Sequence, residues 1–153
     1  MKHALAAVVI GAIFLLMIPN CKGDNHADLR LVMEQQVDLI EAATGTIIAS
    51  RGAADVVAAV DRFCAAMDQL APKAQRLRAK YPDIIRDLNQ GRVPDHLAPV
   101  LHRAKTLESD LSRAGAGLIR FSGNPLVEAA KSKFDQAMQS VVWRKEDDSP
   151  QKR

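Results

Sequence analysis

The sequence predicts an all-α protein, an antiparallel up-down-up-down four-helix bundle with a short extra helix between helices 2 and 3. Two observations predict this class: apolar residues recur at alternating spacings of three and four residues in four segments, and aromatic residues make up only 4% of the chain. Such spacing is typical of helices that bury one face, and a core poor in aromatic residues suits helices better than sheets. With 48% hydrophobic and 25% charged residues, the 153-residue chain has the composition of one globular domain.

Helices 1 and 2 are predicted from the first two apolar stripes. Asn25 is the expected N-cap of helix 1, and Gly52 is its expected left-handed terminator. The phase of the second stripe continues past Pro72, which favours one kinked helix over two separate helices. Few residues separate the stripes, so the two helices are expected to lie antiparallel. The stripes are Met33, Val37, Ile40, Thr44 and Ile47, then Val56, Val60, Phe63, Met67, Leu70, Ala74, Leu77 and Tyr81.

The second half of the chain predicts the extra helix and helices 3 and 4. Pro82 to Gln90 reads as a short helix that Gly91 closes. Helix 3 is expected to end at Gly123, and Asn124 followed by Pro125 is a typical helix start. The core stripes are Leu97, Val100, Ala104, Leu107, Leu111, Ala114, Leu118 and Phe121 for helix 3, and Val127, Ala130, Phe134, Ala137 and Val141 for helix 4.

Three glycines fall inside predicted helices, where each costs roughly 1 kcal/mol relative to alanine. They are Gly45, Gly115 and Gly117. A ligand pocket and close packing between helices both explain such glycines, and we expect close packing.

The first 20 residues have the composition of an export signal. The uncharged apolar run from Ala4 to Ile18 suits the core of a signal peptide and is shorter than the about 20 residues of a spanning helix. The segment Ile18-Pro19-Asn20-Cys21 resembles a bacterial lipobox, in which the cysteine is diacylated and becomes the new N-terminus; Asn20 stands where that family prefers Gly, Ala or Ser. The resemblance implies lipid attachment at Cys21. An uncleaved anchor and ordinary secretion remain the alternatives.

These features predict the organisation and the compartment of the chain. Residues 1–20 are the signal peptide, 21–25 a tether, 26–143 the bundle and 144–153 a disordered tail. The protein is expected in the cell envelope, anchored to a membrane on its periplasmic or outer surface. Removal of Lys2 leaves 21 − 1 = 20 basic residues against 18 acidic ones, a net charge of +2 that indicates no nucleic-acid partner. If Cys21 carries lipid, Cys64 is a single thiol; otherwise the two can form a disulfide.

The start of helix 1 suggests a second resemblance. The segment Ala27-Asp28-Leu29-Arg30-Leu31-Val32-Met33 is similar to the first helix of cytochrome b562, a four-helix bundle that also has a long central connection. In that family a methionine on helix 1 and a histidine on helix 4 bind haem. Met33 matches the methionine, but residues 126–143 contain no histidine. The resemblance implies a haem or small-ligand carrier as the alternative function, whereas the missing histidine favours Met33 as a core side chain.

The remaining residues give no catalytic, metal or cofactor signature. There is no Gly-x-Ser-x-Gly turn, no Cys-x-x-Cys-His and no glycine-rich phosphate loop. His96 and His102 are six residues apart, which is expected to place them on different faces of helix 3, and no Glu-x-x-His pair occurs. Cys64 has no histidine in its segment and is expected to be a half-buried thiol. The sequence therefore predicts neither an enzyme nor a bound cofactor.

One group of charges predicts a binding surface. Lys73, Arg76 and Lys80 are spaced i, i+3 and i+7, so they share one face of helix 2 near the end that carries Cys21. A membrane-facing basic patch and an ordinary solvated face that compensates the helix dipole remain equal alternatives. The predicted function is a lipid-anchored, non-catalytic binding or envelope-associated module. Its partners are the membrane and an unidentified envelope protein or small ligand, and a homodimer of helical hairpins stays open.

Overall fold

Five α-helices make up most of the described chain. The computed structural model describes residues 26–143, in which no strand occurs, so the all-α class is confirmed for this part. Lipid attachment at Cys21, the signal peptide and the C-terminal tail lie outside the described residues, as does Asn25. The prediction of Asn25 as the N-cap is wrong, because the N-cap of the first helix is His26. The helices are α1 (Ala27–Ala49), α2 (Ala53–Lys80), α3 (Pro82–Asn89), α4 (Ala98–Ile119) and α5 (Pro125–Met138).

Helices α1 and α2 form an antiparallel pair, as predicted. Asp28 at the start of α1 contacts Lys80 at the end of α2, and this end of the molecule is called the lower end below. Helix α2 continues through Pro72 as a single helix. The prediction of a left-handed Gly52 is wrong, because Gly52 is extended, with φ −147° and ψ 162°. The amide of Ser50 bonds to the carbonyl of Ile47 and already closes α1, so no left-handed residue is needed.

Helix α4 packs against α1, and the two helices run in the same direction. His96, just before α4, lies beside His26 at the start of α1. At the upper end, Arg120 donates a hydrogen bond of 2.5 Å to the carbonyl of Ser50. The chain returns from the end of α2 to the start of α1 through α3 and a turn in which Gly91 has a φ of 75°. The predicted short helix and its closing glycine are thus confirmed.

Helix α5 packs against α2, again in the same direction. Lys133 forms an ion pair with Asp61 at 2.9 Å, and the rings of Phe63 and Phe134 lie 4.8 Å apart. The side chain of Asn124 accepts a hydrogen bond from the first turn of α5, as its predicted capping role requires. The pairs α1–α4 and α2–α5 are thus parallel, because α3 carries the chain across the lower end to α1.

The buried core follows the predicted stripes most closely in α1 and α2. Every stripe residue from Met33 to Leu77 is buried, while Tyr81 is half-buried. In α4, Leu111 is only half-buried, because α4 has extensive backbone contact with α1 alone. Val141 is buried but lies beyond α5, which ends at Met138. No helix within residues 26–143 combines the length and the apolar character that crossing a bilayer requires.

A neighbouring helix lies near only one of the three helical glycines, and even there the space would accept a Cβ atom. A Cβ atom on Gly117 would lie 3.5 Å from Ile47, an ordinary contact between α4 and α1. At Gly45 and Gly115, no atom beyond the adjacent residues and the backbone of the same helix turns lies within 4 Å of that position. These two glycines therefore face open space, and packing does not require them.

The segment after α5 completes the core at the lower end. Val141 and Val142 are 2% and 0% exposed. Gln36 on α1 is also 0% exposed; its side-chain amide donates to the carbonyl of Ser140 at 3.1 Å and accepts from the amide of Val142 at 3.0 Å. Arg78 on α2 donates to the carbonyl of Val141 at 2.5 Å. The segment is thus bound to both helices of the antiparallel pair through its backbone.

Candidate functional site

A groove lies between the start of α1 and the end of α2, where the antiparallel helices run side by side. Its volume is about 370 Å³. We call it the basic groove. It is lined by Asp28, Leu31, Val32, Gln35, Lys73, Arg76, Leu77 and Lys80. The sequence-predicted patch of Lys73, Arg76 and Lys80 is thus brought together along one rim.

The floor of the basic groove is apolar. Val32 and Leu77 are buried and belong to the core. Leu31 also lines the groove, but 55% of its surface is exposed, one of only a few large apolar side chains in the described residues that remain so open to water. The floor and Leu31 together could contact an apolar ligand group.

The three cations of the groove are not equivalent. Lys80 forms an ion pair with Asp28 at 2.6 Å, and its hydrogen bonds to Asp28 and Tyr81 raise the pKa of Lys80 to about 12. Lys73 and Arg76 are exposed and form no salt bridge with any described residue. The groove therefore has a net charge of +2, and Lys73 and Arg76 are the cations available to an anionic partner.

Asp28 holds the lower ends of α1 and α2 together. Burial alone would raise the pKa of Asp28, but hydrogen bonds from Lys80, Tyr81 and the amide of Leu29 outweigh burial and lower it. The hydroxyl of Tyr81 donates to Asp28 at 2.9 Å. The carboxylate thus stays ionised at neutral pH and fixes the position of Lys80.

A pair of histidines, which was not predicted from the sequence, lies beside Tyr81 at the lower end. Nδ1 of His26 and Nε2 of His96 are 3.0 Å apart, although the residues are 70 positions apart in sequence. The ring of His26 packs edge-on against Tyr81, with centroids 4.7 Å apart. His102 is exposed on α4. No local pattern reveals this pair, because it depends on the path of α3 across the lower end.

Cys64 lies in a second groove, between α2 and α5, together with Asp61, Asp68 and Lys133. The thiol is half-buried, as the sequence predicted. Burial raises the pKa of Cys64, and the negative charges of Asp68 and Asp61 raise it further. The thiolate is the nucleophilic form of cysteine, so this environment disfavours a reactive thiol.

Met33 is completely buried in the core. It therefore packs as an ordinary apolar side chain of α1. Comparison of the whole chain with protein-family models, curated proteins and solved structures finds no significant match. The basic groove and the histidine pair are therefore the features of the described residues from which a function can be argued.

Proposed function

We propose that this protein is an exported, lipid-anchored and non-catalytic module of the cell envelope, in which the four long helices form an up-down bundle. The basic groove contacts the anionic surface of the membrane that carries the anchor. One observation carries the proposal: two cations without a partner among the described residues stand above an apolar floor at the end where α1 begins. Lys73 and Arg76 supply the charges, and Leu31 supplies the exposed apolar group.

The position of the groove supports contact with the membrane. The ion pair between Asp28 and Lys80 ties the groove to the first turn of α1. Five residues lead from Cys21 to His26, and a chain of that length spans at most roughly 18 Å. A lipid on Cys21 would therefore keep the groove close to the bilayer.

The energies indicate that the groove orients the protein while the lipid anchors it. A basic residue near an anionic membrane surface contributes about 1 kcal/mol. Lys73 and Arg76 together would contribute about 2 kcal/mol, and this attraction falls off over a Debye length of about 10 Å at 0.1 M salt. Two acyl chains bind a membrane far more strongly than this.

The test of the groove uses protein that begins at Lys22 and so lacks the lipid. It should sediment weakly with vesicles that contain anionic phosphatidylglycerol, and salt should release it. Removing both charges with Lys73→Gln and Arg76→Gln should abolish this binding. The control variant removes two exposed charges elsewhere, with Arg51→Gln and Lys131→Gln, and should bind like the parent. Equal binding by the two double variants would contradict the proposal.

The anchor is tested separately on the full chain. The mass of the membrane-bound protein should show loss of residues 1–20 and a diacylglycerol adduct, and Cys21→Ala should release the protein from the membrane. A mature chain that begins at another residue, or a Cys21→Ala variant that stays on the membrane, would refute lipid attachment.

A further inference from the structure

The side chains of two histidines are in contact at the lower end, and this contact has no role in the basic groove or in the proposed lipid anchor. Nδ1 of His26 faces Nε2 of His96 at 3.0 Å, and the ring planes are inclined by only 17°. Both side chains are half-buried, so solvent can reach them. The contact is a hydrogen bond, in which the N–H of one ring donates to the nitrogen of the other and the tautomers decide which ring is the donor. A metal ion that binds both nitrogens could replace this proton.

The separation of the nitrogens matches that of two imidazoles bound to one metal ion. Imidazole nitrogens bind Zn²⁺ at about 2.0–2.1 Å, so two of them lie roughly 2.9 Å apart at a right angle and roughly 3.3 Å apart at a tetrahedral angle. The observed 3.0 Å lies within this range. An ion could therefore bind with little movement of either backbone.

Both histidines are held in place by the structure around them. The carbonyl of His26 accepts the first helical hydrogen bond of α1, from the amide of Arg30 at 2.9 Å. His26 also has a φ of 82°, a left-handed conformation that histidine adopts more readily than most residues. His96 lies in the turn between Pro94 and Ala98, whose backbone groups are hydrogen-bonded to each other. The two backbone segments that carry the rings are therefore held in position.

We propose that His26 and His96 form a two-histidine site for a divalent transition-metal ion that prefers imidazole, such as Ni²⁺, Cu²⁺ or Zn²⁺. Residues 26–143 contain no cluster of three His, Cys, Asp or Glu side chains that could bind one metal ion. Water molecules would therefore occupy the coordination positions of the ion that the two histidines leave open. Such an ion exchanges readily with solvent. Tyr81 packs against His26 and bonds to Asp28, and this contact orients the first imidazole.

The experiment uses the full chain with His3→Gln, which removes the histidine near the N-terminus, and titrates it with Ni²⁺ by calorimetry. The parent should bind one ion per chain, and binding should weaken in acid because protons compete for the imidazoles. His26→Gln and His96→Gln should each lower the affinity about tenfold or more. His102→Gln is the matched control and should leave the affinity unchanged.

Circular dichroism checks that each variant is folded, and a second measurement needs no substitution at the pair. Paramagnetic Ni²⁺ should broaden the imidazole NMR signals of His26 and His96 while that of His102 stays sharp. A parent that binds no Ni²⁺, equal affinity in all three histidine variants, or equal broadening of all three signals would overturn the proposal and leave a proton as the bridge.

Discussion

Replacing Gln36 with methionine tests how the segment after α5 is held. Methionine fills a similar volume but offers no amide, so Gln36→Met removes both hydrogen bonds of this side chain without creating a large cavity. The backbone amide of Val142 loses its acceptor in a buried environment, and the carbonyl of Ser140 loses a donor in a partly buried one. The substitution therefore affects the contact between α1 and the last described residues.

The expected loss of stability follows from these two bonds. A buried donor left without a partner costs about 1–3 kcal/mol, whereas a partly buried carbonyl can bind water, so its lost bond costs about 0.5–1.5 kcal/mol. We expect Gln36→Met to lower the free energy of unfolding by about 1.5–4.5 kcal/mol. This is a large part of the stability of a small domain, but it leaves the protein folded.

The assay compares two signals during urea unfolding. Far-UV circular dichroism follows the helices, and fluorescence follows Trp143, the one tryptophan of the chain, which is half-buried at the end of the segment. Gln36→Met should lower the unfolding midpoint, and the fluorescence change should precede the loss of helix. Gln35→Met makes the same change beside the basic groove and should leave the midpoint nearly unchanged. Equal midpoints for the two variants would refute the reasoning.

Two further predictions concern the core of α4 and the lower ion pair. Leu107 is 4% exposed, so Leu107→Ala should lower the free energy of unfolding by about 2–5 kcal/mol. Leu111→Ala should lower it by less, because Leu111 is only half-buried. Equal losses of stability in thermal unfolding would contradict this difference in burial. Lys80→Gln should raise the pKa of Asp28, as read from a carboxyl NMR titration. Because the pKa of Asp28 is lowered in the folded protein, the pairing stabilises the fold above the ordinary aspartate pKa of about 3.9 and is lost as the pH falls through the folded value. The stability difference between wild type and Lys80→Gln should therefore shrink in acid, and an unchanged Asp28 pKa would refute the pairing.

Local periodicity was sufficient to predict the helices and much of the core. The stripes of α1 and α2 are buried because each of these helices packs against two long neighbours. Local periodicity overestimated the burial of Leu111, because α4 packs extensively against only one long helix, α1. It also missed Gln36, because a polar residue can be assigned to a core only when its partners are known, and these follow more than 100 residues later.

The candidate sites were predictable to different extents. The spacing of Lys73, Arg76 and Lys80 placed them on one face of α2 because helical geometry is local. The partner of Lys80 is on another helix, so its neutralisation by Asp28 was not predictable. The pair of His26 and His96 depends on α4 lying beside α1. Short-range patterns do not encode which helices become neighbours, so this pair could not be predicted from the sequence.

The way in which the segment after α5 completes the core also determines when the fold can form during synthesis. Val142 is among the last described residues to be synthesised, yet its amide bonds to the side chain of Gln36 on α1, which was made more than 100 residues earlier. Contacts of such long sequence separation form late in folding. The nascent chain can therefore form helical segments early, but its lower end stays open until residues 140–142 have been synthesised. If the protein is exported as we propose, this order keeps the native core from forming before the proposed leader, residues 1–20, is available for recognition.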